Sequence, residues 1–274
     1  MLSQRKTAGI LSLLFFISLA SLRVQAVGAQ SPVISIIIDD LGSNNPRHEQ
    51  VVRLPGAIAC SFLPMNDATV RLAKLAHSYN KEILLHIPME SVNRNPMGPG
   101  GLSLDMTKRE FLWTMQRDLA SVPHVSGINN HMGSLLTRHP GHMVWLMKEM
   151  KRNGKLFFVD SRTTNASVAM KVAVQEGVPS MQRDIFLDHD PDINSIRKQF
   201  LRLISRAHNK GTALAIGHPY PNTVKVLREM LPQLEKMGVR LVPLSELLKF
   251  KSKRQKTWQA LLSHSQKAVK NSKP

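Results

Sequence analysis

The chain has 274 residues, a net charge of +18 and one cysteine, Cys60. A single thiol cannot form an intramolecular disulfide, which excludes a small disulfide-stapled scaffold. The length is enough for one sizeable α/β domain with a full core, even after a leader is removed.

The N-terminus reads as such a leader. Arg5 and Lys6 precede an almost uninterrupted apolar stretch from Ala8 to Leu22. Val24-Gln25-Ala26 and Val27-Gly28-Ala29 then fit a small-x-small cleavage rule. Residues 1–29 are therefore expected to be a secretory signal peptide, and the protein periplasmic or secreted. An uncleaved anchor is the alternative, against which the apolar stretch is short for a membrane span. Export also sets nucleic acid aside as a partner.

From residue 30 to 248 strands and helical patterns alternate. Apolar runs at Ser35 to Asp40, Ala57 to Leu63, Glu82 to His86, Val125 to His131, Lys155 to Asp160 and Thr212 to His218 read as strands. Weaker ones lie near Pro179 to Gln182 and Val239 to Val242. Helical spacing covers Asp67 to Tyr79, His142 to Arg152, Ala166 to Glu176 and Asp192 to His208. Thr107 and Glu110 form a capping box that opens a helix through Leu119. Pro221 opens a last helix, expected to run to Lys236 before Gly238. Such alternation predicts a mostly parallel sheet, open or closed into a barrel. The loop Asn93 to Gly101 could border a cleft. Cys60 lies in a probable strand and is expected to be a buried apolar residue.

The charge is uneven. Residues 249–274 carry eight Lys or Arg and no acid, and the leader carries three more basic residues, leaving the body near +7. The tail reads either as a disordered solubilising segment or as an attachment to an anionic surface.

Five strands stop at Asp or His, and in α/β folds the C-terminal strand ends carry the chemistry. Asp39 and Asp40 close the first. Adjacent strand residues point to opposite sides, so one carboxylate can bind a metal while the other takes a proton; a solvated acidic turn is the alternative. His86 is either a ligand or a buried, hydrogen-bonded imidazole. Glu90 follows beyond Pro88, which makes a shared helical face improbable. Asn129, Asn130 and His131 form a strand end able to bind an oxyanion or sugar hydroxyls, or else an Asn-rich turn. Asp160 and Arg162 could pair, or either could face a site. His218 precedes a helix N-terminus, which should lower its pKa and suit it to donate a proton or position one. Asp188-His189-Asp190 ranks below these as a loop, and the other histidines, His48 among them, are expected at the surface. There is no GxxxxGK[ST], GxGxxG, GxSxG or HExxH pattern. What survives is a single metal with Asp and His ligands and an acid/base pair.

Ile36-Ile37-Ile38-Asp39-Asp40-Leu41-Gly42, Leu85-His86-Ile87-Pro88-Met89-Glu90, Gly127-Ile128-Asn129-Asn130-His131-Met132-Gly133-Ser134, Phe158-Val159-Asp160-Ser161 and Ile216-Gly217-His218-Pro219 together resemble the divergent polysaccharide deacetylase family. The resemblance covers about Val33 to Leu247. It implies an α/β fold of the NodB type, a distorted (β/α) barrel. It also implies a hydrolase that removes N- or O-acetyl groups from an envelope glycan with a divalent metal, usually zinc. By resemblance Asp39 is the base, Asp40 and His86 are metal ligands, and His218 is the catalytic acid. The second motif of NodB-type enzymes ends in His where this chain has Glu90. His131, in preference to Glu90, is expected to complete the metal site. Asp160 and Arg162 are then expected to orient it, and Asn129, Asn130 and Glu90 to meet substrate. The alternative is a deacetylase-like envelope protein that binds a glycan or a protein partner without turnover.

Overall fold

The computed structural model describes residues 31–253. The expected leader and the tail from residue 254 onward lie outside the described residues. Among the described residues no helix is long and apolar enough to cross a membrane. In chain order the elements are β1 (Val33–Leu41), α1 (Pro46–Val52), β2 (Ala59–Phe62), α2 (Thr69–Ser78), β3 (Ile83–Met89), α3 (Lys108–Ser121), β4 (Val125–Met132) and α4 (Pro140–Arg152). There follow β5 (Phe157–Asp160), α5 (Ala169–Glu176), β6 (Ser180–Gln182), β7 (Ile185–Phe186), α6 (Ile193–Lys210), β8 (Thr212–Gly217), α7 (Pro221–Met230) and β9 (Arg240–Leu241). A helix over 244–253 closes the described chain, so the basic stretch expected to begin at Lys249 starts within it.

Local chemistry explains most of these boundaries. The Thr107–Glu110 capping box is present at the start of α3. The last long helix is shorter than its spacing predicts. It gives way at Leu231–Gln233 to a 3-10 turn, because Pro232 lacks the N–H that an α-helical turn needs. The short α1 was not foreseen, although Asn45 caps it by accepting from the Arg47 N–H and Pro46 sits in its first turn.

Every strand pairing is parallel, and the sheet runs β6-β5-β4-β3-β2-β1-β8-β7 with β9 added beside the start of β1. The sheet is curled. Its two ends, β6 and β7, are consecutive in the chain and separated only by Arg183 and Asp184. The Arg183 N–H donates to Asp160 O on the β5 side, and the Asp184 N–H to Leu214 O on the β8 side. The distorted barrel is thus closed by a covalent link where a ladder of hydrogen bonds would otherwise stand.

The period of two along each strand sorts side chains into two cores. Ile34, Ile36, Ile38, Leu85, Ile87, Ile128 and Phe158 pack outward against the helices. Val33, Ile37, Ala59, Leu84, Phe157, Val159, Leu214 and Ile216 point inward, where Leu244 and Leu247 of the final helix join them. This inner core fills the end of the barrel where the strands begin. Cys60 is buried as expected, and burial pushes its thiol up to about 12, which leaves it inert.

Candidate active site

At the C-terminal strand ends the inward rows continue as polar residues. After Val33, Ser35 and Ile37 comes Asp39; after Leu84 comes His86; after Gly127 come Asn129 and His131; after Leu214 and Ile216 comes His218. The strand period alone places these side chains in one layer. Asp40 should by the same rule face the helices. It does not, because its φ is +57°. A left-handed residue reverses the alternation, so both carboxylates of the pair turn inward, at a strain of about 1–3 kcal/mol. His86 Nε2 consequently lies 3.6 Å from Asp39 Oδ2 and 3.2 Å from Asp40 Oδ1.

Asp40, His86 and His131 offer three ligating atoms within 4.8 Å of one another. His131 Nδ1 is 2.9 Å from Asp40 Oδ1. That oxygen is buried yet accepts no hydrogen bond of good geometry, although two imidazole nitrogens face it. Lone pairs converging on one point without a donor between them fit a cation. One carboxylate and two imidazoles suit a borderline divalent ion such as zinc, with a position left open towards the cleft.

Asn129 organises this cluster. It is fully buried. Its Nδ2 donates to Asp39 Oδ1 at 2.8 Å and to Ser161 Oγ at 3.3 Å. Its Oδ1 accepts from Ser61 Oγ at 2.6 Å and faces His86 Nδ1 at 3.0 Å. Because Asp39 can only accept when ionised, the amide orientation is set, and His86 must carry its proton on Nδ1. Nε2 is then the bare nitrogen aimed at Asp40, as a neutral ligand requires. The amide thus orients Asp39 and His86, and has no capacity left for the substrate contact expected of it.

The charges divide the two aspartates. Burial raises the Asp39 pKa more than His86, His218 and the Asn129 hydrogen bond lower it. Burial would raise Asp40 too, but the facing imidazoles of His131 and His86 reverse this and hold it far below the ordinary carboxylate range. Burial alone would lower His86; the charges of Asp39 and Asp40 outweigh it and raise its pKa. One carboxylate is therefore tuned to take a proton and its neighbour to stay ionised.

His218 stands across from the pair, its Nε2 3.8 Å from Asp40 Oδ2. Its Nδ1 lies 3.0 Å from Asp188 Oδ1, and its backbone N–H donates to Asp188 Oδ2 at 2.6 Å. Thr223 Oγ1 donates to the same Oδ2 at 2.8 Å. Burial opposes the charged ring, but Asp188 prevails and its pKa is raised to about 9. The helix terminus was expected to lower it; a buried carboxylate in direct contact outweighs a partial dipole charge. Asp188, ranked low as part of a loop, is the ring's anchor.

Other expected residues lie elsewhere. Asp160 follows Phe158 on the outward row, and its carboxylate accepts from the Arg162 N–H at 2.8 Å and from Ser167 Oγ at 2.7 Å. It shapes the turn into α5 and does not enter the site. Asp160 and Arg162 do pair, but through the arginine's backbone. The Arg162 side chain lines the cleft and reaches Asn165 Oδ1 at 3.1 Å. Glu90 is turned away: its Oε2 accepts from the Leu104 N–H at 2.9 Å, tying down the loop after β3. It neither joins the metal cluster nor meets the cleft. Asn130 borders the cleft, but its amide serves Met132 O and the Ser161 N–H. His48 is buried, with Nδ1 accepting from the Gly42 and Ser43 N–H groups just after the aspartate pair. Ser61, Ser161, Arg183 and Phe186 were not foreseen. Ser61 was detectable from its inward parity with Ala59, whereas Phe186 lies on a strand too short to show a period and Arg183 in the link before it.

The cleft above these residues has a volume of about 420 Å³ and is lined by Asp39, His86, His131, Arg162, Arg183 and His218 among others. A larger cleft of about 650 Å³ lies beside Pro55, Leu231 and Leu241, and its lining holds no cluster of ligating side chains.

Other proteins resemble this chain in sequence or in fold. The chain is 36% identical over 222 residues to the uncharacterized protein YibQ of Escherichia coli, covering 80% of this chain and 69% of that one. It is 35% identical over 214 residues to an uncharacterized protein of Haemophilus influenzae, covering 78% and 76%. Among solved structures, an uncharacterized protein from Agrobacterium tumefaciens superposes with a TM-score of 0.76 at 22% identity, over 80% of this chain and 90% of that one. The peptidoglycan deacetylase PdaC from Bacillus subtilis, as a D285S mutant, gives 0.53 at 11% identity, over 86% and 99%. Both share the curled parallel sheet with surrounding helices. The sequence profile of the divergent polysaccharide deacetylases matches residues 36–248, and the chain belongs to that family.

Proposed function

We propose that the protein is an exported, metal-dependent hydrolase that removes acetyl groups from an envelope carbohydrate. The observation that carries this reading is the convergence of Asp40, His86 and His131 between a buried carboxylate, Asp39, and an anchored imidazole, His218. Asp40, His86 and His131 would hold a divalent cation, zinc by the chemistry of the donor set, which supplies polarisation of the acetyl carbonyl and acidification of a water. Asp39 Oδ2 accepts that water's proton; its raised pKa makes it the better base of the pair. Asn129 holds the carboxylate on its other oxygen, leaving Oδ2 directed at the site. His218, protonated at neutral pH, delivers a proton from Nε2 to the departing sugar nitrogen or oxygen. Asp188 steadies the imidazolium as this proton is held and released.

The test is metal content and acetate release in the purified protein. Wild type should carry about one zinc per chain and release acetate from at least one member of an acetylated glycan panel. Asp39→Asn should keep the metal and lose the release; Asp40→Ala should lose both. A protein that binds glycan without releasing acetate under any metal would leave the non-catalytic binder in its place, and metal content unchanged in Asp40→Ala would remove the assignment of the ligands.

A further inference from the structure

We propose that Arg162 and Arg183 form a receptor for a carboxylate on the substrate, so that the acetylated glycan is an acidic one. This rests on the hydrolase reading above for the site itself.

Arg183 belongs to the two-residue link that closes the barrel, and its side chain lines the cleft. Its Nε donates to Ser161 O at 2.7 Å and its Nη2 to Arg162 O at 2.9 Å. The guanidinium carbon sits 4.6 Å from the centre of the Phe186 ring. Three contacts thus fix the plane of the group and leave Nη1 for a ligand. Arg162 lines the same wall. Among the described residues neither arginine forms an ion pair with a carboxylate.

The balance of charge makes this wall unusual. A divalent cation at Asp40, His86 and His131 is matched by the two carboxylates of Asp39 and Asp40. The two guanidinium charges are then surplus in a half-buried cleft. Burial weighs against the charge of Arg183, and Arg162 beside it adds to that; Asp39 and Asp160 offset only part. Like charges that nearby acids offset only in part are costly to hold together, and an anion bridging them reverses the sign. Guanidinium groups match a planar carboxylate with paired N–H donors. A purely structural arginine, stapling the link through the carbonyls of Ser161 and Arg162, would account for two donors of Arg183 but not for the second arginine beside it.

The experiment uses the full-length, zinc-loaded protein and three acetylated oligosaccharides of equal length: one neutral, one carrying lactyl or uronate carboxylates, one carrying phosphate. Acetate release and calorimetric binding are measured for each, at low and high salt, in wild type, Arg183→Met and Arg162→Met. The carboxylated probe should be favoured over the neutral one by about tenfold, the size of one charge-assisted hydrogen bond. High salt should shrink that ratio, and each variant should bring it towards one. Arg162→Met guards against a folding failure of Arg183→Met, since the Arg162 side chain reaches only Asn165. Equal use of neutral and carboxylated probes, unmoved in Arg162→Met, would overturn the receptor and leave the hydrolase standing. Preference for the phosphorylated probe would overturn the carboxylate assignment. No acetate from any probe, with tighter binding of the carboxylated one that Arg162→Met abolishes, would overturn the hydrolase and keep the receptor. Neither release nor binding would overturn both.

Discussion

Asp188 Oδ1 lies 3.0 Å from His218 Nδ1, so the other ring nitrogen is the one turned to the aspartate pair. Removing that acceptor as Asp188→Asn should bring the ring down from about 9 towards its ordinary 6.5. NMR titration of the His218 ring reads this directly. In wild type the protonated ring adds stability that is full below pH 6.5 and fades as pH rises through about 9. Melts of the two proteins should therefore differ most at neutral and acid pH and converge above that range.

Asn129→Ala should leave the fold intact and weaken the metal site. Asp39, His86 and Ser61 each lose a buried partner, which costs about 1–3 kcal/mol for each group left unsatisfied. Zinc affinity by competition with a chelator should fall by roughly 10–100-fold, the usual effect of losing a partner that orients a ligand. Unchanged affinity would mean that the amide does not set the His86 tautomer.

Metal binding itself should weaken in acid. Asp39 and Asp40 raise the pKa of His86, and the ring must be neutral to ligate. Zinc affinity measured across neutral and mildly acidic pH should drop as the ring takes up a proton, and a flat profile would place the metal elsewhere.

Asp118 offers a test far from the site. It is buried in α3 with neither carboxylate oxygen hydrogen-bonded, and burial pushes its pKa up to about 7. The folded state then holds a proton that the unfolded chain releases near 3.8, so stability on this account falls as pH rises through that window. Between pH 5 and 8 the loss should be on the order of 2 kcal/mol. Asp118→Asn should be flatter over that span and more stable than wild type at pH 8 by denaturant melts.

Gly127 points inward at the ring of Phe157, and a Cβ there would meet that ring's Cδ2 at 2.7 Å. Gly127→Ala should cost about 1–3 kcal/mol by overpacking. Phe157→Leu in the same chain should return part of it, a non-additivity that a double-mutant cycle would measure.

The strands that carry Asp or His at or near their C-terminal ends were legible because buried parallel strands are continuous apolar runs, and a polar residue that breaks one stands out, although β1, β3 and β4 run one to three residues past it. The inward layer followed from the period of two, once the faces were known. Sequence could not reveal which face was which, and so Asp160, one residue out of phase with Val159, was placed in the site. The turn of Asp40 was hidden because a left-handed aspartate leaves no compositional mark. Asp188 was ranked low and Arg183 missed for a shared reason: both belong to the stretch around β6 and β7, where strands of two or three residues show no pattern and tertiary pairing alone decides position. Glu90 was drawn in by motif spacing, whereas its carboxylate is spent on the backbone of its own loop.

The inner core packed by Leu244 and Leu247 shuts the barrel at the end where the strands begin. Among the described residues the cleft then opens at the other end alone. If the protein acts as proposed above, a polymer cannot thread through; it would lie across the rim and lower a pendant group inside, and what is cleaved would leave by the way it came. Turnover on a long glycan would then be a sequence of separate dips along the chain, with release of the small product and realignment of the large one competing for the same opening.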